Sequence, residues 1–247
     1  MAHVLFITGT DTNVGKTVFS VLLTRELLRQ GVDVRAVKPL CSGGREDAEA
    51  LLAVLLAKTS NNQHRTTNIH CIRHSVSGID QINPWHFAEP LTPLVASRRV
   101  GKPLHRKEVV AFLRKSASAC DVLLVEGAGG LLSPLGEDFD ARDLIVALKA
   151  TPVVVAQNRL GVINQSLLVM GALPLAIRQK AQLILMQPEL ADVVSRTNEN
   201  VLKERLGAAR VHSVPHLHPE HVQTLTTVRL PVSVRAALQR LAKSVCA

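Results

Sequence analysis

Five side chains suited to phosphate and magnesium stand at comparable places in the first 126 residues. Lys16 and Thr17 end the stretch Gly9-Thr10-Asp11-Thr12-Asn13-Val14-Gly15-Lys16-Thr17. Lys38 follows the strand-like residues 32–37, Asp47 follows a loop rich in small residues at 40–44, and Glu126 follows the apolar run 122–125. A lysine ammonium neutralises phosphate charge. A threonine hydroxyl and carboxylates are hard oxygen ligands of the kind Mg2+ prefers.

The loop at 9–17 lies between an apolar run at 4–7, short enough for a buried strand, and a helical run at 18–28. In a strand–turn–helix of that kind, backbone N–H groups face a phosphate chain and the helix N-terminus adds partial positive charge. Lys16 then reaches the outer phosphates and Thr17 ligates Mg2+. The usual pattern wants glycine where Thr10 stands; here it is one residue earlier, at Gly9. A turn that merely contains Gly-Lys-Thr is the bland alternative. At the other acids, a small-residue run, Gly127-Ala128-Gly129-Gly130, follows Glu126. It lets backbone approach phosphate while the carboxylate reaches a metal directly or through water. The alternative there is a glycine turn beside a solvated glutamate. Asp47, at the start of a helical run, could equally cap that helix.

These groups need a scaffold that gathers them on one edge. Further strands are expected at 32–37, 121–125, 152–156, 183–186 and 211–214. Helices are expected at 48–58, 94–99, 109–119, 143–148, 165–176, 189–206 and 233–245. Gly31 suits a helix C-cap. Residues 40–44 read as loop, residues 59–80 as a polar surface excursion, and three prolines within 84–93 as excluding a regular element. Alternating strands and helices imply an α/β fold with a mostly parallel sheet covered by helices on both faces, of the phosphate-loop NTPase kind. Ligands then bind at the carboxyl ends of the strands. With no repeat and no long linker, residues 1–247 read as one domain.

Composition narrows the classes. The chain has 247 residues, 47% of them hydrophobic, with no apolar run long enough to span a bilayer. The start, Met1-Ala2-His3, lacks a secretory layout, so a cytoplasmic location is expected. Four cysteines without a C-x-x-C pair read as free thiols. His70, Cys71 and His74 lie close together but lack a second cluster at ligand spacing. The net charge is +9, yet aromatics are only 2%, so stacking platforms for single-stranded nucleic acid are scarce. A basic cleft for an anionic small substrate accounts for part of the excess. A solvated basic face accounts for the rest.

In combination the motifs become specific. Gly-Thr-Asp-Thr-x-Val-Gly-Lys-Thr at 9–17, Lys-Pro-x-x-Ser-Gly at 38–43, Asn-Pro-Trp-His-Phe-Ala-Glu-Pro at 83–90 and Val-Glu-Gly-Ala-Gly-Gly at 125–130 together resemble the dethiobiotin synthetase family. The displaced Gly9 is that family's own form of the loop, which lacks the early lysine of septum-positioning and partition ATPases. The likeness is closest over residues 4–165.

The resemblance implies ring closure of a cyclic urea from 7,8-diaminopelargonic acid, CO2 (or bicarbonate) and ATP with Mg2+, releasing ADP and phosphate. It implies catalytic roles for Lys16 and Lys38, and Mg2+ ligation by Thr17, Asp47 and Glu126. Nucleotide contacts fall on Asn13, Val14, Gly15, Lys16, Thr17, Val18, Asp47, Glu126, Gly127, Ala128 and Gly129. Thr12 and Ser42 hold the diamine or carbamate. The diamine's tail carboxylate is held across a homodimer interface by the stretch Arg159, Gly161, Val162 and Asn164, with Arg159 where the family has lysine. Base contacts fall on Gln187 and on Pro215, His216 and Leu217. The family usually has Asn-Asp at 187–188; here Gln187 keeps an amide, and Pro188 removes a backbone donor.

Other classes stay open on sequence alone. One is a related amide-forming ligase of the cobyrinate amidase type, although no glutaminase segment is visible after residue 165. Another is a non-catalytic nucleotide-binding module. A third is a partition-type ATPase on DNA, which the basic charge permits.

Overall fold

The computed structural model describes residues 2–61, 78–190, 192–217 and 230–246. Strand β1 (His3–Gly9) leads through the loop into helix α1 (Lys16–Arg29), followed by β2 (Val34–Val37), β3 (Leu40–Ser42) and α2 (Glu46–Asn61). After a 3-10 turn at Ile79–Gln81 come β4 (Trp85–Phe87), α3 (Pro93–Arg99), α4 (Arg106–Ala117) and β5 (Val122–Glu126). The chain continues through α5 (Ala141–Leu148), β6 (Thr151–Gln157), α6 (Val162–Ala172), α7 (Leu175–Arg178) and β7 (Gln182–Met186). It ends with α8 (Val193–Leu206), β8 (Val211–Val214) and α9 (Val232–Cys246).

Six strands form one sheet in the order β2-β5-β1-β6-β7-β8, and every pairing in it is parallel. The expected α/β architecture is therefore present. Parallel strands covered on both faces read as continuous apolar runs, because alternate side chains enter two cores. In β1, Leu5 and Ile7 join the core under α1, α2 and α9. Phe6, between them, joins the core under α4, α5, α6 and α8. β5 divides likewise, with Val122 and Leu124 on one side and Leu123 and Val125 on the other. Burying one such side chain stabilises the fold by about 1.5–3 kcal/mol.

The register gathers the site. Ile7 of β1 pairs with Glu126, and Val37 of β2 pairs with Val125. Lys38, the next residue, therefore stands beside Glu126 at the carboxyl edge, next to the loop that leaves β1.

Five local expectations need correction. Residues 40–44 are not wholly loop, and the prolines around 84–93 do not exclude regular structure. Leu40–Ser42 and Trp85–Phe87 pair in parallel as a separate two-stranded ribbon. The strand is only three residues long and fits between Pro84 and Pro90, so no proline occupies a ladder position. Trp85 packs edge-on against Phe112, ring centres 5.6 Å apart. Helix α2 begins at Glu46, so Asp47 sits inside the first turn rather than capping it. The helix expected over 165–176 starts earlier and breaks at Leu173, whose ψ of 140° is the extended backbone that Pro174 demands. Helix α8 starts at Val193, not 189; the Asp192 side chain accepts from the Ser195 N–H and caps it. His70, Cys71 and His74 lie outside the described residues.

Candidate active site

The loop after β1 folds tightly because Asn13 and Gly15 both take positive φ, 58° and 96°. At Gly15 this matters twice. The left-handed backbone lets α1 start at Lys16, and an added Cβ would lie 3.2 Å from Met186 Cγ. The Gln157 amide, at the end of β6, donates to the Asn13 carbonyl at 3.0 Å and holds the loop from the other side. Lys16 is buried at the helix start and donates to the Asp11 carbonyl at 2.8 Å.

Beneath the loop the other charged groups meet. Lys38 Nζ lies 2.7 Å from Glu126 Oε1 and 2.5 Å from Asp47 Oδ2. The Thr17 hydroxyl donates to the same Glu126 oxygen at 2.6 Å. Glu126 is fully buried, and its Oε2 has no hydrogen-bond partner among the described residues. Burial alone would lower Lys38. The carboxylates of Glu126 and Asp47 outweigh it and hold the ammonium above the ordinary lysine range. For Asp47, burial pushes the carboxyl up, but Lys38, Thr17 and Lys16 together bring it below its usual range. Lys16 is lowered, first by burial and then by the nearby charge of Lys38.

A cleft of about 580 Å³ opens above this cluster, with Lys16, Thr17, Lys38, Ser42, Asp47 and Gly129 in its wall. Thr12, Asn13, Gly15, Val18 and Ala128 also line it. Val14 is buried below the loop, and Gly127 is pinned to β1 by its N–H to the Ile7 carbonyl at 2.9 Å.

These residues fit Mg2+. Thr17, Asp47 and Glu126 offer hard oxygens at one place, and the unpartnered Glu126 oxygen is a ready acceptor there. Among the described residues no cluster of three or more His, Cys, Asp or Glu exists. Two carboxylates and a hydroxyl, completed by substrate phosphate oxygens and water, is the usual way proteins hold Mg2+. The cradle of loop N–H groups, with the α1 N-terminus and Lys16, likewise suits a nucleotide's phosphates.

The remaining expected residues lie further along the same sheet edge. Gln187 follows β7, and its amide is already engaged. It accepts from Asn158 at 2.9 Å and donates to Ser213 at 2.8 Å and to Glu199 at 3.4 Å. Pro215, His216 and Leu217 follow β8, with Leu217 buried and His216 exposed. Arg159 and Asn164 are exposed, Gly161 has a φ of 92° at the start of α6, and Val162 is fully buried, so only its backbone can meet a ligand.

Sequence reading missed several members of the site. Ser133 accepts the Gly130 N–H at 3.0 Å and braces the turn after Glu126. Pro90, Leu91, Thr92 and Pro93 form a wall of the cleft. Asn83, fully buried, donates to the Lys38 carbonyl at 2.8 Å. A signal existed for Asn83 in the motif at 83–90, but nothing local tied it to Lys38.

A family model described as an AAA domain matches residues 3–220. Among curated relatives, the ATP-dependent dethiobiotin synthetase BioD of Rhodococcus erythropolis is 33% identical over 86% of this chain and 88% of its own length. That of Methanocaldococcus jannaschii is 35% identical over 66% of this chain and 70% of its own. BioD 1 of Escherichia coli K12 is 33% identical over 68% and 70%. Among solved structures, the MinC:MinD cell division protein complex of Aquifex aeolicus aligns with a TM-score of 0.58 at 16% identity, covering 98% of this chain and 95% of that one. A ParA family ATPase of Chlorobium tepidum aligns with a TM-score of 0.54 at 15% identity, covering 99% and 96%. Those two share the fold. Motifs, site geometry and the curated relatives agree on one assignment: the chain belongs to the dethiobiotin synthetase family.

Proposed function

We propose that this protein is an ATP-dependent cyclo-ligase that closes the ureido ring of dethiobiotin from 7,8-diaminopelargonic acid, CO2 and ATP, releasing ADP and phosphate in biotin synthesis. The observation that carries the reading is Lys38, buried between Glu126 and Asp47 and facing the phosphate loop across one cleft. A nucleotide-hydrolysing switch has no need of a second buried lysine beside Ser42. A ligase that must hold a carbamate against a phosphate does.

One amine adds to CO2 and gives a carbamate, losing a proton. A carbamate oxygen attacks the γ-phosphorus, and the bond to the ADP oxygen breaks. The second amine then attacks the carbamate carbon, phosphate leaves, and the ring closes with loss of a second proton. Lys16 and Lys38 offset the negative charge that builds up on the carbamate and the transferring phosphoryl. Thr12 and Ser42 orient the diamine. Loop N–H groups from Asn13 to Val18, with Gly127, Ala128 and Gly129, hold the phosphates. Thr17, Asp47 and Glu126 would hold Mg2+, which would supply Lewis-acid stabilisation of the phosphate oxygens. The chain's own contribution is orientation and charge placement, which suits a reaction with little side-chain covalent chemistry.

Gln187 with Pro215, His216 and Leu217 borders the adenine. Gln187 can give one N–H to the base in exchange for its long contact to Glu199. Arg159, Gly161, Val162 and Asn164 hold the tail carboxylate of a diamine bound to a second copy. Leu160 and Leu168 are 81% and 65% exposed. With exposed Asn164 between them at four-residue spacing, they make a stripe suited to a homodimer face. One sheet running from residue 3 to residue 214 supports reading 1–247 as a single domain. A cytoplasmic location belongs to the same reading; among the described residues no helix is long and apolar enough to cross a membrane.

The test is to incubate the protein with diaminopelargonate, bicarbonate, Mg2+ and ATP and detect dethiobiotin and ADP by mass spectrometry. Formation of both in equal amounts is expected. No dethiobiotin with any nucleoside triphosphate would overturn the assignment.

A further inference from the structure

We infer that Asn83 is a positioning residue for catalysis: its buried amide ties the backbone under Lys38 to the start of the helix that carries Asp47. The inference rests on the reading above, in which Lys38 serves the carbamate and the transferring phosphoryl.

Pro39 ends the β2 ladder one residue after Lys38, so the sheet alone does not hold this lysine. The segment before β4 takes over. The Lys38 N–H donates to the Ile82 carbonyl at 3.1 Å, and the Trp85 N–H donates to the Pro39 carbonyl at 3.1 Å. Between them, Asn83 Nδ2 donates to the Lys38 carbonyl at 2.8 Å, with weaker approaches of 3.4 Å to the carbonyls of Pro39 and Trp85. The other end of the same amide faces α2: Asn83 Oδ1 accepts from Arg45 Nε at 3.0 Å. Arg45 also donates to the Asn83 carbonyl at 2.7 Å and to Asp80 at 2.8 Å. Arg45 lies two residues before Asp47, and its carbonyl receives the Glu49 N–H at 2.9 Å, so its place fixes the first turn of α2.

One side chain thus spans the two elements whose tips meet as the Lys38–Asp47 pair. The position needs a donor at one end and an acceptor at the other, and only a carboxamide of this length has both. With the residue fully buried, neither end can fall back on water. Misplacing a reacting group by an ångström costs about 10²-fold in rate.

Two variants of the full chain test this. Asn83→Asp keeps the acceptor for Arg45 and removes the N–H to the Lys38 carbonyl. Arg45→Lys keeps the charge and removes the fork that binds Asn83, without touching the core. Folding is checked by circular dichroism, nucleotide binding by a fluorescent ATP analogue, and turnover by dethiobiotin formation. The expected result for Asn83→Asp is a fall in kcat of roughly 10- to 100-fold, with KM for ATP and nucleotide Kd within about threefold of wild type. Arg45→Lys should show the same split, with a smaller fall. Wild-type kcat in folded Asn83→Asp overturns the inference, as does an equal loss of kcat and nucleotide affinity, which signals general loosening. If Asn83→Asp does not fold, Arg45→Lys decides by the same two criteria. A wild-type protein that makes no dethiobiotin defeats the ligase reading itself. That outcome is distinct, because a failure of the Asn83 inference alone leaves wild-type activity intact.

Discussion

Lys38 and Lys16 are both buried lysines of one cleft, yet their surroundings push them in opposite directions. Lys38 has two carboxylates on its ammonium, while among the described residues Lys16 has only a backbone carbonyl within hydrogen-bond reach of its own. Their failures should therefore differ. Lys38→Ala should lower kcat at least about 10²-fold with nucleotide Kd nearly kept, as expected for lost transition-state stabilisation. Steady-state kinetics beside a binding titration checks this, and normal turnover would remove Lys38 from the chemistry. The pH dependence separates them further. Lys16 is lowered by burial and by Lys38, so free enzyme loses that proton at a pH below the ordinary lysine range. The alkaline limb of kcat/KM for ATP, which reports the free enzyme, should fall before that of kcat. For stability the signs are opposite at the two ends. Asp47, lowered in the fold, stabilises above the unfolded carboxylate pKa, and the contribution is lost as pH falls through its lowered value. Lys38, raised in the fold, stabilises below the unfolded lysine pKa, and its contribution is lost only as pH rises through the raised value. These individual residues were legible in the sequence, because phosphate and Mg2+ chemistry restricts which side chains can follow an apolar strand. Asn83 was not legible as a partner of Lys38, because an asparagine among prolines looks like turn material until its buried contacts are seen.

At the level of elements, strands and helices could be read where an apolar run was long, and misread where a short element depended on a distant one. β3 and β4 are three residues each and exist only by pairing with each other across a gap of about forty residues. Neither carries enough periodicity to be visible alone. The broken helix at 173–174 was legible in principle, since Pro174 sits in plain view. Apolar residues on both sides of it hid the break. Helix ends are a better guide to what an element contributes than its length. Asp192 caps α8 by accepting the Ser195 N–H at 2.7 Å, and it is not among the residues in the wall of the cleft. Asp192→Ala should remove that cap and lower Tm by about 2–4 °C, the shift expected when a chain of this size loses a helix cap. It should leave kcat unchanged. Differential scanning calorimetry beside the product assay measures both, and a large fall in kcat would mean that α8 reaches further into catalysis than its contacts indicate.

On the scale of the whole molecule, the register of three adjacent strands brings together residues far apart in the chain. Charge and exposed surface were only partly legible. The excess of nine positive charges is a property of the entire surface, and composition alone cannot say where it lies. The exposed leucines Leu160, just before α6, and Leu168, on it, likewise became visible as one surface only once the helix was placed. If it is a homodimer face, Leu168→Asp should shift the species seen by light scattering from two copies to one and raise KM for the diamine, whose tail the second copy would hold. An unchanged mass would remove this surface as a homodimer face. The bonds to Glu126 have a further consequence, for the order of events in folding. Thr17 and Glu126 are 109 residues apart, and Lys38 and Glu126 are 88 apart. Each contact closes a long loop, and parallel pairing at such separations is slow. Helix α1 can form within microseconds, but the reacting centre cannot exist until β5 has slid in between β1 and β2. In a refolding experiment, ellipticity should therefore return well ahead of enzymatic competence, and competence should appear in step with the last protection of β5 amides from hydrogen exchange.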